Sequence, residues 1–204
     1  MSPEREALRA AIAGYGARPL LIAADRTLDG GEVLSGVAER MRTLDAIGAQ
    51  RVAIALDNGA DWVLWDLALL FGGKVCVPLP AFFSAAQQRH VLDSAGVDTL
   101  IGARHQPGTD ADFIPARPGV SQRRPACSPA LPAGTLKMTY TSGTTGQPKG
   151  VCLDGAAQLA VADAIAAVIR DCGVRHHLCV LTLATLLENV AGVYAPLLAG
   201  AGAE

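Results

Sequence analysis

Short apolar runs alternate with stretches of helical period between residues 33 and 101, and this alternation restricts the fold more than any other feature of the chain. Val33, Leu34, Val37, Met41 and Leu44 recur at helical spacing, and Arg51-Val-Ala-Ile-Ala-Leu is the kind of short apolar run that forms a buried parallel strand. Trp62, Val63, Trp65, Leu67, Leu70 and Phe71 predict a helix closed by Gly72-Gly73. Lys74-Val-Cys-Val-Pro-Leu predicts the next strand, ending at Pro78 and Pro80. A further helix is expected from Ser84 to Ala95, ended by Gly96, with Asp98-Thr-Leu-Ile as a strand after it. Strand–helix–strand repetition at this spacing gives an α/β fold with a parallel-rich sheet covered by helices.

The pattern divides the chain in three. Residues 1–102 form an N-terminal α/β segment. Residues 103–134 hold six of the twelve prolines without a helical or strand period, which predicts a long surface loop or linker. Residues 135–204 resume the alternation: a strand at Leu136-Lys-Met-Thr-Tyr-Thr, an alanine-rich helix from Gly155 to Arg170, a strand at Leu178-Cys-Val-Leu-Thr-Leu and a helix from Leu186 to Leu198.

Composition narrows the function classes. Seventeen Lys+Arg against 19 Asp+Glu leave a net charge of −2, which argues against nonspecific binding to nucleic acid. With 50% hydrophobic and 18% charged residues, the chain has ample apolar surface to offset its conformational entropy. A mean hydropathy of +0.30 implies apolar surface that belongs against something outside this chain. The apolar stretches are broken by Asp66, Lys74 or Glu188 before they could span a bilayer, and the charged start lacks an apolar signal core. The five cysteines are odd in number and form no Cys-x-x-Cys pair, so a reducing, cytoplasmic compartment is expected.

The chemistry concentrates in Ser142-Gly-Thr-Thr-Gly-Gln-Pro-Lys-Gly150, between two strands. Gly143, Gly146 and Gly150 let the backbone approach a ligand, and successive N–H groups in such a loop converge into an anion-binding concavity. Ser142, Thr144 and Thr145 add hydroxyl donors, Tyr140 and Thr141 lead into the turn, and Lys149 supplies a full positive charge approached through the stiff Pro148. Small donors, flexible backbone and one cation are what polyphosphate binding requires. The phosphate loop of kinases and GTPases does not fit: Pro148 replaces the glycine before the lysine, and Gly150 replaces the hydroxyl residue that would hold Mg²⁺.

The string Tyr140-Thr-Ser-Gly-Thr-Thr-Gly-Gln-Pro-Lys-Gly-Val151 resembles the phosphate-loop signature of the adenylate-forming superfamily at every fixed position. That superfamily comprises acyl-CoA synthetases, nonribosomal-peptide adenylation domains and luciferases. Weaker resemblance lies in Val52-Ala-Ile-Ala-Leu-Asp-Asn58 followed by Trp62 and Trp65, in Gly73-Lys-Val-Cys-Val-Pro-Leu79 and in Leu197-Leu-Ala-Gly-Ala201. The similarity runs from about Leu28 to the last residue. It implies the N-terminal portion of that family's large domain and a two-step reaction. A carboxylic acid attacks the α-phosphate of ATP, pyrophosphate leaves, and the acyl-adenylate passes to a thiol such as CoA. In that scheme Ser142, Thr144, Thr145 and Lys149 hold the β- and γ-phosphates, Gly143 and Gly146 supply backbone donors, and Thr141 completes the nucleotide-binding set.

The chain also departs from the family. Where many members carry Leu-Pro-Leu-x-His, this chain has Leu181-Thr-Leu-Ala-Thr185, so no imidazole stands there and Thr185 is not assigned a catalytic role. Two readings stay open for Thr185, Leu186 and Val190: they face the acyl pocket, or they belong to a plain packed helix. The family's downstream motifs for adenine, Mg²⁺, ribose and the catalytic lysine are absent, so the Mg²⁺ ligands are expected outside this chain and no turnover is expected from it alone. Three readings follow: a piece of an acyl-activating enzyme, a subunit of a split enzyme that pairs with a downstream polypeptide or with itself, or a noncatalytic nucleotide-binding or interaction fragment. Uncovered helix faces or a sheet edge are expected in each.

Other groupings are weaker. Cys172, His176, His177 and Cys179 bunch together, but their spacing fits no common zinc finger, and a solvated turn with a buried Cys179 is the simpler reading. Gly14-Tyr-Gly16 lacks the third glycine of a dinucleotide fingerprint, with Pro19 in its place. Ser142 lacks the preceding glycine of a hydrolase elbow, and His90 and His105 stand isolated.

Overall fold

The computed structural model describes residues 2–102, 112–141 and 147–204. The chain opens with α1 (Pro3–Gly14), which the apolar periodicity did not single out. Proline in its first turn, Glu4 and Glu6 near its positive end, and Leu8 and Ile12 buried one turn apart explain why it forms and which face it buries. The hairpin β1 (Pro19–Ile22) and β2 (Thr27–Asp29) follows. Asp29 then starts α2 (Gly30–Ala46) with a capping box: its carboxylate accepts the Glu32 N–H at 2.8 Å, and its own N–H donates to the Glu32 carboxylate at 2.9 Å.

The expected alternation appears as β3 (Arg51–Ile54), α3 (Ala60–Gly72), β4 (Val75–Pro78), α4 (Ala85–Ser94) and β5 (Thr99–Ile101). Gly73, at φ +67°, ends α3 in the left-handed conformation, and a Ser84–Gln87 capping box starts α4. β3 pairs in parallel with both β4 and β5, as a βαβ reading requires. Along β3, Val52 and Ile54 enter one hydrophobic core and Ala53 the other. The strand is therefore buried on both faces, and this is why its sequence is continuously apolar. One core joins Leu8, Val37, Trp62, Leu67 and Leu197 from the helices; the other packs Val77, Leu100 and Met138 against Val91 and Leu92 of α4.

Two expectations are corrected here. The proline-rich stretch after residue 103 is not wholly irregular: β6 (Ile114–Arg117) and β7 (Val120–Gln122) form a hairpin that extends the sheet beside β5. Pro115 is tolerated because β6 is an edge strand, and Pro118-Gly119, with Gly119 at φ +69°, has the residues of a type II turn. The strand expected at Leu178 to Leu183 does not form. Strand pairing falls instead on β10 (His176–His177), which β11 (Gly202–Ala203) engages in parallel. Beyond it, Asn58 takes the Leu181 carbonyl at 2.7 Å and the Leu183 N–H at 2.8 Å, and Glu188 takes the Val180 N–H at 3.1 Å. Side chains thus occupy the backbone groups that a ladder would need.

β8 (Thr135–Thr141), β9 (Lys149–Asp154) and α5 (Gly155–Asp171) form as expected, with the Asp154 carboxylate capping α5 through the Ala156 and Ala157 N–H groups. The helix expected over Leu186 to Leu198 also forms, but Glu188–Tyr194 is a π-helical turn before α6 (Ala195–Ala199). The strand orders are β6-β7-β5-β3-β4-β8-β9 in the larger sheet and β10-β11-β1-β2 in the smaller. Among the described residues, no helix is long and apolar enough to cross a membrane.

Candidate functional site

β8 and β9 run antiparallel, with Thr139 opposite Val151, Tyr140 opposite Gly150 and Thr141 opposite Lys149. The ladder therefore brings both ends of the glycine- and hydroxyl-rich loop to one mouth. Of the residues expected to bind nucleotide, Thr141 and Lys149 face each other there, both solvent-exposed. Ser142, Gly143, Thr144, Thr145 and Gly146 lie outside the described residues. Among the described residues Lys149 has no acidic partner, so its charge is available to an anion.

The last turn of α4 supports both arms of this hairpin. His90 Nε2 donates to the Pro148 carbonyl at 3.0 Å, and the Ser94 hydroxyl meets the Tyr140 hydroxyl at 2.9 Å. Ser94 gives its proton to the His90 carbonyl at 2.6 Å, so Tyr140 is the donor to Ser94. Burial pushes the Tyr140 phenol up, with the bond to Ser94 opposing, and keeps it protonated. His90 thus has a role that its isolation in sequence concealed. His90 and Ser94 lie four residues apart on a helix, and that spacing is the one signal of a shared face. Together with Leu131, Tyr140, Pro148 and Lys149 they line a groove of about 510 Å³. His105 lies outside the described residues.

Gly150 is required by a close approach. A Cβ there would lie 2.9 Å from Cζ of Tyr140. Gly150→Ala is expected to displace the Tyr140 ring from Ser94 and cost about 1–3 kcal/mol, the usual range for overpacking. Urea denaturation checks this, and the cost should largely vanish when Tyr140 is also alanine.

A buried polar cluster anchors β8 from the opposite face. Lys137 Nζ donates to Asp66 at 2.8 Å, to the Tyr194 hydroxyl at 3.0 Å and to the Asn189 side-chain oxygen. Asp66 also accepts from Asn189 at 2.8 Å and from Tyr194 at 2.5 Å. All four residues are almost fully buried, and burial followed by the Asp66 charge pushes the Tyr194 phenol well up. The cluster ties α3, β8 and the π-helical turn together four residues before Thr141. Nothing in the linear sequence pairs these residues.

Leu186 and Val190 line an apolar groove of about 530 Å³ with Leu153, Ala157, Val161 and Ile165, between α5 and the π-helical turn. Val161 and Leu187 are 55% and 67% exposed on its rim, in keeping with the uncovered helix faces expected from composition. Thr185 is not part of this lining; its hydroxyl donates to the Thr182 carbonyl at 2.8 Å. Of the four residues bunched near Cys172, the fold brings His177 and Cys179 together with Glu188 and leaves Cys172 and His176 outside the group.

Comparison with known proteins identifies the family of the chain as a whole. The AMP-binding enzyme family profile matches residues 8–203. The chain is 32% identical over 138 residues to phosphinothricin tripeptide synthetase PhsC of Streptomyces viridochromogenes, covering 62% of this chain and 12% of that protein. It is 29% identical over 213 residues to a methyl-dioxo-octahydroindenyl-propanoyl:CoA ligase of Mycobacterium tuberculosis, covering 89% of this chain and 42% of the ligase. Its fold matches o-succinylbenzoate CoA synthetase (MenE) from Bacillus subtilis in complex with the acyl-adenylate intermediate OSB-AMP. That match has a TM-score of 0.76 at 20% identity, over 97% of this chain and 54% of that one. The chain thus spans about half or less of the proteins it matches. With almost its whole length inside the family profile, the chain belongs to the AMP-binding enzymes.

Proposed function

We propose that this chain supplies the phosphate-gripping part of an ATP-dependent enzyme that converts a carboxylic acid to its acyl-adenylate and passes the acyl group to CoA. The observation that carries this reading is the β8–β9 register, which sets Thr141 against Lys149 at the mouth of the loop. Lys149 would neutralise charge on the β- and γ-phosphates and the hydroxyls of Ser142, Thr144 and Thr145 would donate hydrogen bonds to them, with Gly143 and Gly146 as backbone donors. Holding these phosphates lets the α-phosphate be attacked while pyrophosphate leaves, and positioning with charge neutralisation dominates such chemistry. The described lining of the mouth contains no carboxylate, so this site fits a phosphate and not the Mg²⁺ that accompanies it. In this reading Mg²⁺ is held by residues outside the chain.

Residues 1–102, 103–134 and 135–204 together form one large-domain fold in this reading. The exposed apolar groove between α5 and the π-helical turn receives the downstream part of that domain. The share of the relatives' length that this chain covers supports such a partner. All five cysteines are free, which favours a reducing cytoplasm.

ATP–pyrophosphate exchange tests the proposal. The chain alone should give no exchange, and mixing it with a polypeptide carrying the downstream family motifs should restore it. Calorimetry adds a second arm: binding of ATP in preference to AMP supports the phosphate clamp. Binding of neither nucleotide, together with failed reconstitution, would leave an interaction fragment in place of an enzyme part.

A further inference from the structure

His177, Cys179 and Glu188 place a ring nitrogen, a thiol sulfur and a carboxylate oxygen all within 4.8 Å of one another. They come from β10, from the irregular segment after it and from the first residue of the π-helical turn. None belongs to the hairpin mouth or lines the apolar groove.

The main chain holds two of them in place. The Glu204 N–H donates to the His177 carbonyl at 2.8 Å, and the Cys179 N–H donates to the Glu204 carbonyl at 2.6 Å. Extended backbone tied on both sides of Leu178 sends residues 177 and 179 to the same side. Glu188 meets them from the helix, its side chain only 8% exposed. Its carboxylate accepts the Val180 N–H at 3.1 Å, while His177 Nε2 stands 3.8 Å away, beyond hydrogen-bond reach. The Cys179 thiol donates to the Gly192 carbonyl at 3.4 Å, so the three ligand atoms converge around Gly192 without a hydrogen bond between His177 and Glu188.

Gly192 keeps the space between them open. A Cβ there would lie 2.9 Å from the Glu188 carboxylate and 3.2 Å from His177 Nε2. Glu188 and Gly192 both sit in the π-helical turn, a wider coil that recurs at functional sites because it re-aims side chains.

The geometry points to a metal site: His177, Cys179 and Glu188 form three ligands for a borderline divalent ion of the Zn²⁺ class, clipping β10 to the π-helical turn. One sulfur, one imidazole and one carboxylate favour Zn²⁺ or Co²⁺ over the oxygen-seeking Mg²⁺ and Ca²⁺. Ligand bonds of about 2.0–2.3 Å put the corners of a tetrahedron about 3.5 Å apart. Side-chain adjustments of about 1 Å therefore close the observed set around an ion. A fourth position remains, and Cys179 also lines a cavity of about 330 Å³ with Asn58, Val63, Leu183 and Val193, from which water or a small donor ligand can reach it. The site stands apart from the nucleotide reading, since it uses no residue of the β8–β9 mouth.

The test is titration of the chelator-stripped 204-residue chain with Co²⁺, read by thiolate-to-cobalt charge-transfer absorption. A band saturating at a single equivalent, displaced by Zn²⁺ and lost in Cys179→Ser, is the expected result. Cys127→Ser and Cys172→Ser, both exposed cysteines, should retain it. His177→Ala, Glu188→Gln and Gly192→Ala should each weaken binding at least about tenfold, the low end of what even outer-shell substitutions cost. A band that survives Cys179→Ser, or no band from a chain that circular dichroism shows to be folded, would overturn the site. Should Cys179→Ser fail to fold, alkylation of the unsubstituted protein decides: Zn²⁺ should protect Cys179, and unchanged labelling of Cys179 would count against the site.

Discussion

Asp66→Ala is expected to lower the unfolding free energy by about 3–5 kcal/mol, because it leaves the Lys137 ammonium buried without its counter-charge. A domain of this size is stable by only about 5–15 kcal/mol, so the loss is a large fraction of the whole. Both members of the pair are almost inaccessible, Asp66 at 1% and Lys137 at 2% exposure, and water cannot take over the missing partner. The cost arises from desolvation, so removing both charges should be far cheaper than removing one. The double variant Asp66→Leu/Lys137→Met should recover most of the lost stability in urea denaturation. A single variant within about 1 kcal/mol of the parent would show that Lys137 finds another partner at little cost. The same lysine lies on the strand that leads to Thr141, so loosening it should also disturb the loop mouth.

Lys149→Ala should reduce ATP–pyrophosphate exchange roughly 10²-fold in the reconstituted assembly, the scale expected when one positioned charge or donor is removed from a transition state. Stability should scarcely change, since Lys149 is exposed and makes no ion pair among the described residues. That separation distinguishes the two experiments: Asp66→Ala acts through folding, Lys149→Ala through nucleotide engagement. Lys149→Arg should retain part of the exchange, because charge is kept while the compact ammonium is not. Unchanged exchange in Lys149→Ala would remove the role assigned to this residue.

Two of the corrected elements show where periodicity misleads. Leu178 to Leu183 is apolar enough for a strand, yet Leu178, Val180 and Leu181 are exposed and the backbone is claimed by Asn58 and Glu188. The apolar run identified a segment that needs cover, not a strand. The β6–β7 hairpin was hidden because prolines mask strand period, although Pro118-Gly119 was a usable turn signal. By contrast β3, α3, β4, α4 and β5 were readable because each obeys a local rule: a buried run, a capping box or a closing glycine.

The sequence alone determined the α/β alternation and singled out the loop before Val151 as the candidate place for an anion. Both depend on neighbours a few residues apart, and short-range geometry is written directly in residue order. Only the tertiary structure decided that α4 supports the loop through His90 and Ser94, that Lys137 meets Asp66 across 71 positions, and that His177 and Cys179 find Glu188. These contacts join residues nine or more positions apart, and their partners are selected by packing, which no local pattern records.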